Sequence, residues 1–177
     1  APIQRPTTEA VADDNPVLAL GTKTPTGTTG DVPEGAHHIP LGSAHIVRPG
    51  DAVTIVALGA MVGVALDAAE TLAAEGIEAE VIDPRTLEPF DTATVLASVA
   101  RTHRLVVVHE AVTSSGFGAE IASRVTEQGF DDLDAPVERV GAPFAPVPFA
   151  PSLEQQYVPD PERVVAACRR TLAREGA

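Results

Sequence analysis

Very little in this sequence could cross-link the chain, stack rings in a core or anchor it in a lipid bilayer. Cys168 is the only cysteine, which excludes an intrachain disulfide and a thiolate metal cluster and fits a reducing, cytoplasmic setting. Trp is absent and aromatic residues make up 3% of the chain, so a core has to be assembled from Ala, Val, Leu and Ile. Lysine is nearly missing too, Lys23 standing against eleven arginines. Twelve basic residues face 25 acidic ones, and the formal charge of -13 argues against nucleic acid or an anionic membrane as partner and for a basic protein surface. No apolar run is long enough to span a bilayer, and the opening APIQRPTTEA lacks the regions of a signal peptide.

What remains is an alternation of short apolar runs and amphipathic stretches. A chain of 177 residues holds one domain with a substantial core. Residues 1–40 are rich in Thr, Gly and Pro and offer one candidate strand, Val17-Leu18-Ala19-Leu20 after the Asn15-Pro16 break, which cannot fold alone. Order is expected from about residue 41. Ala44-His45-Ile46-Val47 alternates like a half-buried edge strand, and a turn at Arg48-Pro49-Gly50-Asp51 leads to an apolar strand at 53–58. Val62, Ala65, Leu66, Ala69, Leu72 and Ala73 then recur at helical spacing, with Gly76 where that helix would end.

The alternation repeats with a strand at 77–82 and a helix capped by Asp91 that turns Val95, Leu96 and Val99 inward. Residues 105–128 are its centre: four branched aliphatics, the pair His109-Glu110, a turn through Thr113-Ser114-Ser115-Gly116, and helical spacing at Gly118, Ile121, Ala122 and Val125. A last strand is expected at 137–140, and six prolines over residues 143–161 argue against regular structure there. Asp160 and Pro161 start a final helix with Val164, Val165, Cys168 and Leu172 inward and Arg169, Arg170 and Arg174 near its C-terminal end. Helices between consecutive strands make the strands parallel. The class is therefore α/β, a three-layer α/β/α arrangement on about five mostly parallel strands with one antiparallel edge strand, residues 44–47.

Open parallel sheets bind ligands at the C-terminal ends of their strands, which here carry Gly59, Asp83-Pro84-Arg85, His109-Glu110 and Gly141. Adjacent strand residues point to opposite faces, so His109 and Glu110 do not converge on one atom, and a strand-end pair bonding to the next turn is the better reading. Gly116-Phe117-Gly118 before a helix suits close packing better than a phosphate, because no GxGxxG or GxxxxGK[ST] pattern is present. Cys168 falls on an apolar stripe, where a buried inert thiol is the usual case. His37-His38 has no further ligand at metal spacing and belongs to a solvated loop. The residues alone describe an α/β domain without a complete active site.

The string of segments is more specific than any one of them. VTIVALGAMVGVALDAAETLAAEGIEAEVIDPRTLEPFD, RLVVVHEAVTSSGFGAEIASRVTE and DAPVERVGAPFAPVPFAPSLEQQYVPD together closely resemble the C-terminal domain of the β-subunit of thiamine-diphosphate-dependent 2-oxo acid dehydrogenases, the group of the pyruvate and branched-chain enzymes. The resemblance runs from about residue 41 to residue 172. The same domain closes transketolase and deoxyxylulose-phosphate synthase, but the HEA, GFGAEIA and FAPSLE strings are similar to the dehydrogenase branch.

The resemblance implies a transketolase C-terminal-like domain at 41–177, preceded at 1–40 by the tail of a pyrimidine-binding domain and its linker. Gly21-Thr22-Lys23 stands where the family usually has an acidic residue, and the family's cofactor-activating Glu has no counterpart here. The α-subunit holds the diphosphate and magnesium in that family. The chain on its own is thus expected to be inactive and to bind no cofactor or metal, while the parent enzyme decarboxylates pyruvate or a branched-chain 2-oxo acid with thiamine diphosphate and passes the acyl group to lipoyl-lysine. The family domain builds the β–β contact of a heterotetramer of two α- and two β-subunits and receives the small basic subunit-binding domain of the dihydrolipoyl acyltransferase. Two acidic positions carry that second contact and fall on Asp134 and Glu138, within a cluster that includes Asp131 and Asp132. The alternatives are a fragment of another transketolase-type enzyme and a free-standing acidic interaction domain.

Overall fold

Short runs rich in branched aliphatics and alanine-rich amphipathic stretches settle into a sheet between two pairs of helices. The computed structural model describes residues 9–20 and 39–174. In chain order it contains β1 (His45–Arg48), β2 (Val53–Ala57), α1 (Met61–Ala73), β3 (Ala79–Asp83), α2 (Thr92–Thr102), β4 (Leu105–Val112), α3 (Phe117–Gly129), a 3-10 turn (Phe130–Asp132), β5 (Glu138–Ala142), α4 (Pro151–Tyr157) and α5 (Pro161–Leu172). The strand order is β1-β3-β2-β4-β5. β2 pairs in parallel with both β3 and β4, β4 pairs in parallel with β5, and β1 is the antiparallel edge. The three-layer arrangement read from the sequence is the one observed.

Every residue of β2 is buried, as a strand covered on both faces must be. One face of the sheet packs Val53, Ile55, Val106 and Val140 against α1 and α5; the other packs Val56, Ile82, Leu105 and Val107 against α2 and α3. Each buried Val, Leu or Ile contributes about 1.5–3 kcal/mol, so these two layers supply the main driving force. Asp91 caps α2 through the Thr94 amide at 3.0 Å and also accepts from the Ala44 amide at 2.9 Å, tying the approach to β1 to the start of that helix. Asp160 caps α5 through the Arg163 amide at 2.8 Å, with Pro161 in the first turn. Gly76 has φ of +80° just past α1, the left-handed backbone that glycine adopts without strain.

Several expectations need correction. Val17-Leu18-Ala19-Leu20 is no strand: it pairs with no described residue and leaves Leu18 and Leu20 more than four-fifths exposed. The proline-rich stretch does contain regular structure, α4. Pro151 occupies the first turn of that helix, where its missing N–H costs nothing, and no further proline follows before Pro159. β1 is largely exposed rather than half-buried. β4 continues past His109 to Val112, and its register with β5 slips between Val108 and Val112. That bulge sets the local geometry of the strand end.

Candidate functional site

Two places in the fold gather the residues singled out by sequence. The first is the C-terminal end of β4. Its bulge turns His109 under the first turn of α3, where the residue is 2% exposed. Three glycines make room for the ring. A Cβ on Gly118 would lie 2.4 Å from Cδ2 and Nε2 of His109, and on Gly116 or Gly141 it would lie 2.8 or 3.0 Å from Cε1. Gly116-Phe117-Gly118 is therefore a packing device, as expected, with the Phe117 ring set edge-on to Phe90 at 6.0 Å. The expectation that His109 bonds to the next turn fails. Neither ring nitrogen has a hydrogen-bond partner among the described residues, although the Ala111 carbonyl faces the ring. Burial, with the nearby Arg139 cation adding to it against the Ala111 carbonyl, holds the imidazole below its usual value and so neutral. Glu110 is half-exposed and does not join it.

The rest of this edge offers no constellation. Asp83 accepts from the Arg85 amide at 3.0 Å, and burial pushes its carboxyl above the usual range. Gly59 begins the turn into α1 with open space around it. Among the described residues no three of His, Cys, Asp and Glu converge on a possible metal position, and these strand ends do not fit magnesium with a diphosphate. Cys168 is fully buried on α5, its thiol pushed up to about 12 by burial, and so is inert. No helix of the described residues is long and apolar enough to cross a membrane. His37-His38 and Gly21-Thr22-Lys23 lie outside the described residues.

The second place is the approach to β5, an edge strand. The 3-10 turn is pinned by the Asp132 carbonyl, 2.9 Å from Nδ1 of His103, and by the Asp134 amide, which donates to the His103 carbonyl at 3.0 Å. Asp134 and Glu138 both face arginines. Arg104 reaches the Asp134 carboxylate at 3.4 Å while also donating to the Thr171 and Arg174 carbonyls at the end of α5. Arg170 of α5 holds Glu138 at 2.8 Å. Side-chain exposures of 44% for Asp134 and 28% for Glu138 leave both carboxylates open to a partner. Asp134 is one side of an open groove of about 710 Å³ that Ala119, Ala122, Phe130, Leu133 and Val137 also line.

Sequence reasoning missed two buried polar clusters. Thr54 on β2 shares its hydroxyl with Ser98 and Thr102 of α2, each at 2.6 Å. Glu80, 2% exposed on β3, takes two hydrogen bonds from Arg101 at 2.7 and 2.8 Å. The polar side chains at alternate positions of otherwise apolar strands were the available signal.

With this geometry in place, comparison with known proteins decides the family. The model of the transketolase C-terminal domain matches residues 42–164. The chain belongs to that family. It is 49% identical over 164 residues to the acetoin:2,6-dichlorophenolindophenol oxidoreductase subunit beta of Cupriavidus necator, covering 93% of this chain and 48% of the relative. It is 45% identical over 161 residues to the pyruvate dehydrogenase E1 component subunit beta of Rickettsia felis, covering 91% of this chain and 49% of the relative. Among solved structures, an inactive β4 tetramer of a split-gene transketolase superposes with a TM-score of 0.70 at 32% identity, over 78% of this chain and 45% of that one. The chain spans about half the length of the curated relatives it matches. It is thus homologous to part of the β-subunits of 2-oxo acid dehydrogenase-type enzymes.

Proposed function

We propose that this chain serves as the assembly and docking domain of the β-subunit of a two-subunit, thiamine-diphosphate-dependent dehydrogenase, working in a reducing, cytoplasmic compartment. Its partners are an α-subunit, a second β-subunit and the basic subunit-binding domain of a dihydrolipoyl acyltransferase, with Asp134 and Glu138 as the contacts to the last. Thiamine diphosphate and magnesium are supplied with the rest of the enzyme. The relatives named for acetoin and for pyruvate widen the substrate from a 2-oxo acid to include a 2-hydroxy ketone. The observation that carries the docking reading is the placement of two accessible carboxylates at one sheet edge of a chain with a charge of -13.

Both carboxylates already have an arginine, so a basic partner has to share or displace Arg104 and Arg170. Charge pairs that become desolvated at an interface are costly to break, whereas rim charges chiefly alter the association rate. Titration with a subunit-binding domain at two salt concentrations tests this. Asp134→Ala and Glu138→Ala each weaken binding, Glu70→Lys on the exposed face of α1 does not, and high salt slows association. Equal affinity for wild type and both alanine variants removes the docking role from these residues.

A further inference from the structure

The His109 cage is not used by the docking reading and does not depend on it. We propose that His109 is a proton-operated latch: neutral, it locks the bulged end of β4 to the first turn of α3, and protonated, it leaves its cage and releases that turn. The geometry carries this. An imidazole 2% exposed sits against Gly116, Gly118 and Gly141, the Ala111 carbonyl facing it and neither nitrogen holding a hydrogen-bond partner among the described residues. A neutral ring is tolerated there at the cost of unmade hydrogen bonds, but a cation needs an anion or water, and the cage offers neither at the ring nitrogens.

The charges around the ring oppose protonation. From β5 the facing charge is Arg139, whose Nη1 donates to the Thr113 carbonyl at 2.8 Å. From α3 the only acidic residue of the first turn, Glu120, is taken by Arg124 at 2.7 Å. On β4 itself, Glu110 is the neighbouring acid and is half-exposed. The turn from Thr113 to Gly116 has no titratable group. The ring also lies under the start of α3, where the free amides carry partial positive charge. The Ala111 carbonyl faces the ring and favours the proton, but burial together with Arg139 outweighs it, so protonation in place is disfavoured.

The sign follows from linkage. Above the ordinary imidazole value of 6.5 the ring is neutral folded and unfolded, and pH has no effect through it. As pH falls below 6.5 the opened ring takes a proton that the caged ring refuses, so closure of the latch weakens with acid. Ala119 sits in the released turn and lines the same groove as Asp134, so opening would reshape that surface.

Amide exchange by mass spectrometry on the 177-residue chain, corrected for intrinsic rates, tests the latch at about pH 7.5 and about pH 5.5. Protection over residues 109–119 is expected to fall by up to about tenfold at the lower pH, the ceiling that one titrating imidazole sets, while β2 and β3 keep theirs. In His109→Phe, whose ring does not titrate, this local response is expected to vanish. NMR titration of the His109 ring protons should give a midpoint below 6.5. A midpoint at or above 6.5, a loss spread evenly over β2 and β3, or an unchanged response in a folded His109→Phe overturns the proposal. Should that variant not fold, the two wild-type measurements decide.

Discussion

Glu80 and His109 are each 2% exposed on strands of one sheet, and the fold treats them in opposite ways. Glu80 keeps its charge inside because Arg101 spans its two oxygens at 2.7 and 2.8 Å while leaving its own side chain half in water. His109 receives no partner and is kept by being neutral, with glycines shaped around the ring. The difference separates two ways of burying an ionisable group. One is held by its partner, whereas an unpaired neutral imidazole makes its surroundings sensitive to acid.

The comparison can be broken from either side. The larger effect is expected at Glu80. Removing its partner in Arg101→Ala leaves an uncompensated buried carboxylate and should cost about 3 kcal/mol, the low end for buried pairs because the guanidinium is half exposed. Replacing Glu80 by Met in the same variant should restore most of that loss, and denaturant unfolding of the single and double variants measures both. At the other site, Gly118→Ala puts a methyl group 2.4 Å from the His109 ring and 3.3 Å from Cγ1 of Val107. Overpacking of this kind costs about 1–3 kcal/mol. The same variant should raise the midpoint of the His109 ring titration, because forcing the ring outward returns it to water.

The fold was readable because each segment stated its role in more than one way. β2 is apolar at every position but Thr54, Asp91 and Asp160 stand at helix starts, and Gly76 closes α1. Where a single signal had to be weighed, the reading failed. Proline density argued against structure over residues 143–161, but density says less than position, and Pro151 falls where a helix accepts it. Val17-Leu18-Ala19-Leu20 had the composition of a strand and pairs with none of the described residues. Sheet partners are a property of the folded chain.

The candidate sites were legible to different depths. Asp134 and Glu138 were found through resemblance, and their composition gave the acidic character of that edge. The arginines that hold them come from the residue just before β4 and from α5, roughly 30 residues away in sequence, so no local pattern could show that both carboxylates are already paired. His109 was noticed as a strand-end residue. Its isolation depends on the bulge in β4 and on three glycines from the α3 turn and β5, and only the folded arrangement brings these together.

The most direct test of the docking reading uses the internal competition at β5. Arg170→Ala frees Glu138, and Arg169→Ala removes the same charge one residue away from a pair with Glu75 instead. Both variants change the net charge equally, so they differ only in which carboxylate is released. Titrated with a basic subunit-binding domain, Arg170→Ala is expected to bind roughly two- to fivefold more tightly than Arg169→Ala, the worth of one exposed ion pair. Equal affinities for the two variants would contradict a docking contact at Glu138.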